Sequence, residues 1–264
     1  MYVPSGVVSL LHQVWSLLSA DYKQLELRMM AHLSGDPILV AMLHDTNIDP
    51  FMQLAAKWLG KQSIAAVTLG DRARAKNLAY ALLYGMGASK VAQDLGLRGP
   101  EAEREAEKLK KPGGAVGGGA VSAGEVRTLF GRLRRFQNVQ PGGRGGGGNI
   151  GNIALNSLTQ GSAADVTKLG MLAVARAVER LHSNSSGSGK MGSGGGCVNA
   201  HSSIARLVLS IHDEFLLEVD ARCVQKVALE LRAAMEGVVP WLSVPLPVKI
   251  SVGKSSWGDM EELM

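Results

Sequence analysis

Aromatic residues and cysteines are scarce in this chain, and long apolar runs are missing. Only 5% of the 264 residues are aromatic, so a core must be built from aliphatic side chains. The 46% hydrophobic content supplies enough of these for one large domain or two small ones. The two cysteines, Cys197 and Cys223, have no CxxC spacing. That argues against a disulfide framework or a zinc site and fits a reducing compartment. The apolar stretch from Val7 to Ala20 is interrupted by His12 and Gln13 and falls short of the roughly 20 residues that a bilayer crossing needs. No basic leader precedes it, so it reads as a buried strand or helix, and no membrane partner is expected. Neither sign of charge dominates. The 28 Lys and Arg against 23 Asp and Glu give +5 and a pI near 9.3, a surplus that suits a polyanionic partner without requiring one.

Glycine, by contrast, is abundant and clustered. Three tracts, Pro112–Gly124, Gly142–Gly151 and Ser183–Gly196, divide the chain. Such segments are expected not to order, because they lose much backbone entropy and have few side chains to pack. A GxGxxG match at Gly143–Gly148 lies inside polyglycine with no strand-turn-helix context, so it carries no nucleotide-binding inference. Between the tracts lie three blocks. The first, Ser9–Lys110, has a short apolar segment followed by helical patterns. The second, Ile153–Leu181, reads as one long helix with Leu155, Leu158, Val166, Leu169 and Leu172 at helical spacing. The third opens with two apolar runs, LVLSI (207–211) and FLLEV (215–219), separated by HDE, the pattern of a tight hairpin with charge at its tip. An amphipathic helix (Val224, Val227, Leu231, Met235, Val238) and a strand, VKISV (248–252), follow. This order predicts an α+β fold.

Two constellations bear chemistry. Asp21 ends an apolar run in DYKQLELR (21–28), and the hairpin tip supplies Asp213 and Glu214. Carboxylates brought together from distant parts of a chain can hold Mg²⁺, which takes oxygen ligands and keeps sites for water and substrate phosphates. Capping of turns is the competing reading of the same aspartates. In RARAKNLAYALLYG (72–85), Arg72, Lys76, Tyr80 and Tyr84 recur every four residues and so share a helix face. Two cations suit phosphates and two rings suit a base or sugar. An amphipathic helix with solvated basic residues and buried tyrosines would show the same spacing.

Taken together in this order, DYKQLELR, RARAKNLAYALLYG and HDE within LSIHDEFLLEV resemble motifs A, B and C of the A-family (Pol I-like) DNA polymerases. NSLTQGSAADVTK (156–168) is similar to the family's minor-groove helix, and VKISVGKSSWGD to its C-terminal ending. Within the family, LYGMGASKVAQDLGL (83–97) is similar to the eukaryotic theta and nu branch. The resemblance implies a palm with an antiparallel sheet and an HDE hairpin, helical fingers, and transfer of a nucleotide from a dNTP to a primer 3′-hydroxyl. Two Mg²⁺ ions would be held by Asp21, Asp213 and the Tyr22 carbonyl, with Glu214 in support. Arg72 and Lys76 would hold the triphosphate, Tyr80 would lie beside the incoming sugar, Gln24 would face the nucleotide, and Glu26 would exclude a ribose 2′-hydroxyl. Tyr84 would stack on the template base, Asn156 and Gln160 would read minor-groove acceptors, and His212 and Arg28 would contact primer–template DNA. The segments implied are palm at 1–30, fingers at 31–111, a glycine-rich and basic connector at 112–152, and palm again at 153–264. A DNA repair role, other polymerase or repair subunits as partners, and a nuclear location rest on the theta and nu likeness; the alternative location is a bacterial cytoplasm or an organelle.

The chain also departs from the family pattern. A thumb and an upstream palm motif are not expected here, because motif A begins about 20 residues from the start. An exonuclease-like domain is not visible. Lys23 replaces a small polar residue, Asn152 a basic one, and the first glycine tract an expected helical stretch, although RTLFGRLRRF (127–136) keeps the basic element beyond it. Weaker duplex grip and a steep salt dependence follow from having fewer phosphate contacts. Two other readings stay open: a non-catalytic DNA-binding remnant, and another two-metal phosphoryl-transfer enzyme such as a nuclease. The second has no use for the Arg72–Tyr84 face.

Overall fold

The computed structural model describes residues 15–83, 124–136, 147–186, 204–253 and 257–263, with backbone alone for 82–83, 147–152 and 184–186. Tyr84 and Cys197 lie outside the described residues. The chain divides into two compact units. One comprises Met1–Lys23, Thr167–Val239 and Leu246–Met264; the other comprises Gln24–Val166 with Pro240–Pro245.

The first unit is built on a five-stranded antiparallel sheet. β1 is Trp15–Tyr22. Next to it lie β4 (Ala205–Ile211) and β5 (Glu214–Asp220), then β6 (Val248–Gly253) and the two-residue β7 (Glu261–Glu262); β2 and β3 belong to the second unit. The order across the sheet is β4-β5-β1-β6-β7. The expected hairpin, helix and last strand are all present. Strand periodicity explains which face is covered. Leu18, Ala20 and Tyr22 pair with Leu217, Phe215 and Val248, and all are buried. On that face each fully buried large apolar side chain is worth about 1.5–3 kcal/mol. The alternate positions Ser19, Asp21, Glu214 and Lys249 share the opposite face. Helix α6 (Val224–Glu236) buries Val227, Leu231 and Met235 at helical spacing, as its sequence predicts, while Val238 lies beyond its end. The Tyr22 hydroxyl donates to the Met235 carbonyl at 3.0 Å.

The second unit carries α1 (Leu25–Ser34), α2 (Pro37–His44), α3 (Pro50–Trp58) and α4 (Leu69–Leu83). Two Asp-Pro pairs start helices by the same chemistry. Asp36 accepts from the amides of Ile38 and Leu39, Asp49 accepts from that of Phe51, and the proline at the first helical position has no amide to satisfy. Leu27, Ala31, Leu43, Phe51, Ala79 and Val244 form its main core. A small hairpin, β2 (Glu125–Arg127) with β3 (Leu133–Arg135), occupies the basic element expected at 127–136.

Helix α5 (Gly147–Ser186) corrects two expectations. It begins inside the second glycine tract and ends inside the third, instead of spanning 153–181. Once a helix is nucleated, each added residue brings a backbone hydrogen bond, which offsets glycine's cost of about 1 kcal/mol. Leu172 is half exposed, although the apolar pattern placed it inside. Successive steps of three from Val166 rotate away from the buried stripe, which instead runs through Val174, Ala177, Val178 and Leu181. Two glycines permit close approach on this helix. A Cβ at Gly161 would fall 2.7 Å from the Thr128 methyl, and one at Gly170 would fall 2.6 Å from the Tyr22 hydroxyl oxygen. Among the described residues no helix is long and apolar enough to cross a membrane.

Candidate active site

The end of β1 brings the first constellation together. Asp21 stands directly across from Glu214 on one side and Lys249 on the other. The Tyr22 amide donates to the Asp213 carbonyl at 3.4 Å, fastening the hairpin tip to the strand that carries Asp21. Ile211 pairs with Glu214, so the loop is only His212 and Asp213. His212 adopts φ 53°, a left-handed conformation that tight hairpins require and that histidine tolerates better than branched residues. His212 itself is exposed, while Asp213 and Glu214 are half-buried.

Like charges so close leave an electrostatic signature. The Asp21 carboxyl is raised from 3.8 to about 6, first by burial, then by repulsion from Asp213 and Glu214, with Lys249 opposing. Glu214 is held in place: Ser19 Oγ and Trp257 Nε1 both donate to its Oε1, the latter at 3.1 Å. Among the described residues no three His, Cys, Asp or Glu side chains converge into a ready cage for an ion. Mg²⁺ does not require one, since it is held by one or two carboxylates plus substrate phosphates. An all-oxygen set whose members repel one another until a cation arrives fits that ion.

The second constellation lies in the other unit. On α4, Lys76 is exposed, but Arg72 and Tyr80 are half-buried and engaged. Arg72 Nε and Nη2 reach Asp49 Oδ2 at 2.8 and 2.6 Å, and the guanidinium carbon lies 5.7 Å from the centre of the Phe51 ring. Tyr80 packs on Phe51 with ring centres 5.9 Å apart. Asp71, one residue before Arg72, forms a reciprocal cap with Thr68 and an ion pair with Lys61, and its carboxyl falls to about 2, chiefly through the Thr68 amide. Gln24 adopts a left-handed conformation (φ 51°) immediately before α1, and Glu26 follows, half-buried, in the first turn. On α5, Gln160 is exposed, while the Asn156 side-chain oxygen is buried without a hydrogen-bond donor among the described residues.

Arg28 is a correction. Expected to touch primer–template DNA, it is 2% exposed, and its Nη1 donates to the carbonyls of Leu43 and Pro245, each at 2.9 Å. Burial lowers its pKa to about 10, and it acts as a structural tie within its unit. Sequence reasoning passed over Asp49, Ser19, Lys249 and Trp257. The Asp-Pro start of α3 offered a signal for Asp49. The other three acquire their neighbours only through strand register and the C-terminal turn.

Comparison with known proteins gives the family. A model of DNA polymerase family A matches residues 8–259, and the chain belongs to that family. It is 33% identical over 254 residues to DNA polymerase theta of Drosophila melanogaster, covering 94% of this chain and 12% of that protein. It is 31% identical over 247 residues to the thermostable DNA polymerase I of Thermus aquaticus, covering 91% of this chain and 27% of that protein. Among solved structures, the POL domain of Pol1 from M. smegmatis, in complex with DNA primer-template and dNTP, superposes with a TM-score of 0.73 at 30% identity. That match covers 91% of this chain and 40% of the other. The chain thus spans less than half the length of these relatives.

Proposed function

We propose that this chain is a palm-and-fingers module that adds deoxynucleotides to a primer 3′-hydroxyl on a DNA template. The observation that carries the reading is the juxtaposition of Asp21, Asp213 and Glu214 at the β1–β5 end, with the Asp21 pKa raised first by burial and then by their repulsion. Asp21, Asp213 and the Tyr22 carbonyl would hold Mg²⁺, which when bound supplies the charge that balances a triphosphate and eases deprotonation of the primer hydroxyl. Arg72 and Lys76 bind the triphosphate, with Tyr80 and Gln24 beside the nucleotide and Glu26 excluding a 2′-hydroxyl. Asn156, Gln160 and His212 contact the primer–template. Roles for these residues rest on their match to the family's motifs, as does the division into palm and fingers; a repair role and a nuclear location rest on the likeness to polymerase theta.

Primer extension with Mg²⁺ and all four dNTPs tests the proposal. Extension that disappears in Asp213→Asn is expected. No extension by the intact chain, where the Thermus aquaticus enzyme extends the same primer, would leave the remnant reading in its place.

A further inference from the structure

We infer that Trp257 is a positioning residue: its indole N–H and the Ser19 hydroxyl together fix the Glu214 carboxylate so that only one of its oxygens is offered to a ligand at the Asp21 end of the sheet. The inference deepens the function proposed above and rests on it for the identity of the ligand, a divalent cation. The contact itself stands on geometry alone.

Three observations carry it. First, both donors converge on the same oxygen, Glu214 Oε1. Two donors on one oxygen fix the carboxylate plane and leave the Oε2 lone pairs with no donor among the described residues. Second, Trp257 is 45% exposed, so burial holds only part of its ring, and the directed feature of its placement is the N–H. Third, the segment bearing it is tied to the sheet. Trp257–Asp259 forms a single 3₁₀ turn between β6 and β7. Beyond that turn Glu261 and Glu262 pair with Val252 and Ser251, and the Leu263 amide donates to the Ile250 carbonyl at 2.8 Å. Lys23 and Lys249 both reach Glu262, at 3.3 and 3.9 Å. The C-terminal strand therefore acts as a strap that presents the indole to Glu214.

The consequence is directional. A glutamate with a free carboxylate would sample rotamers and could swing away from Asp21. Held by Oε1, it keeps its negative charge against Asp21, where it contributes to the repulsion already described, and keeps Oε2 available to a cation or to that cation's water. Groups behind the immediate ligands commonly set the aim of those ligands, and losing them lowers metal affinity or activity by roughly 10- to 100-fold.

Trp257→Phe keeps the ring and removes the N–H. Its thermal midpoint should match that of the parent, because a half-exposed ring is retained. In ¹⁵N–¹H spectra of the whole chain, the indole resonance missing from Trp257→Phe identifies Trp257. That resonance should move in Glu214→Ala and again when Mg²⁺ is added to the parent protein. An indole resonance unmoved by Glu214→Ala would overturn the contact and the inference with it. In primer extension, Trp257→Phe should lower kcat about tenfold with the dNTP KM unchanged, and should cost nothing further in a Glu214→Ala background. An equal loss in both backgrounds would overturn positioning through Glu214. If no form of the chain extends a primer, the proposed function fails while the indole resonance still decides the role of Trp257.

Discussion

Replacing Asp21 by Asn should make the metal-free protein more stable at neutral pH while abolishing primer extension. In the folded chain the Asp21 carboxyl titrates near 6 instead of 3.8, because burial and the neighbouring Asp213 and Glu214 all disfavour its charge. The folded state therefore binds this proton more tightly than the unfolded state does. Stability falls as pH rises from about 4 to about 6, and the full penalty applies above that window. The rise is equivalent to about 3 kcal/mol, and solvent screening at a half-exposed site reduces this to about 1–2 kcal/mol. Asparagine has nearly the same shape and no charge, so it escapes the penalty. For a chain of this size the gain corresponds to a melting midpoint higher by about 2–6 °C at pH 8. The gain should fade toward pH 4, where the parent Asp21 is itself neutral. Added Mg²⁺ should narrow the gap, because it stabilises the parent and not the variant. Circular-dichroism melts at both pH values, with and without Mg²⁺, decide the matter. A variant that melts no higher than the parent at pH 8, or that keeps its full advantage at pH 4, would refute the electrostatic account.

Other consequences follow from the packing and the caps. Gly170→Ala should destabilise by about 1–3 kcal/mol in urea titration despite alanine's better helix propensity. The new methyl meets Tyr22, which cannot swing aside without breaking its bond to the Met235 carbonyl. Asp49→Asn keeps the α3 cap but removes the charge that holds Arg72, so a loss of about 0.5–1 kcal/mol is expected in dilute buffer. That loss should shrink in 1 M salt as screening grows; an unchanged difference would show that the pairing is not electrostatic. Asp71→Asn should lower the urea midpoint at pH 6, with the difference closing as pH falls from about 4 toward 2. The folded Asp71 carboxyl titrates below its unfolded value, so its contribution is lost on acidification.

The legible parts of this fold were those whose pattern is local. The two apolar runs LVLSI and FLLEV on either side of HDE gave the β4–β5 hairpin and its charged tip, and the spacing of Val227, Leu231 and Met235 gave α6. Helix α5 was read short because composition marks glycine tracts as breaks and says nothing of the helix already nucleated beside them. Arg28 was misjudged because the resemblance carried a DNA contact over to it on its motif position, without its surroundings. Its partners are carbonyls 15 and 217 residues away, which no local pattern announces. The contact of Trp257 with Glu214 spans 43 residues and depends on a turn held by a two-residue strand. For Arg72, spacing gave the helix face but not the acid that occupies it.

Asp21 and Tyr22 are neighbours in sequence and opposites in the sheet, one on the face with Glu214 and Lys249, the other beneath α5 and against α6. Parity at this end of β1 is thus what separates the carboxylate cluster from the helix-covered face. Inserting or deleting a single residue in this strand would exchange the two, turning the phenol outward and forcing the carboxylate under the helices. The strand should therefore accept conservative exchanges of side chain far more readily than any change of length. Length variation should gather instead in the connections between elements, which count no residues into that alternation.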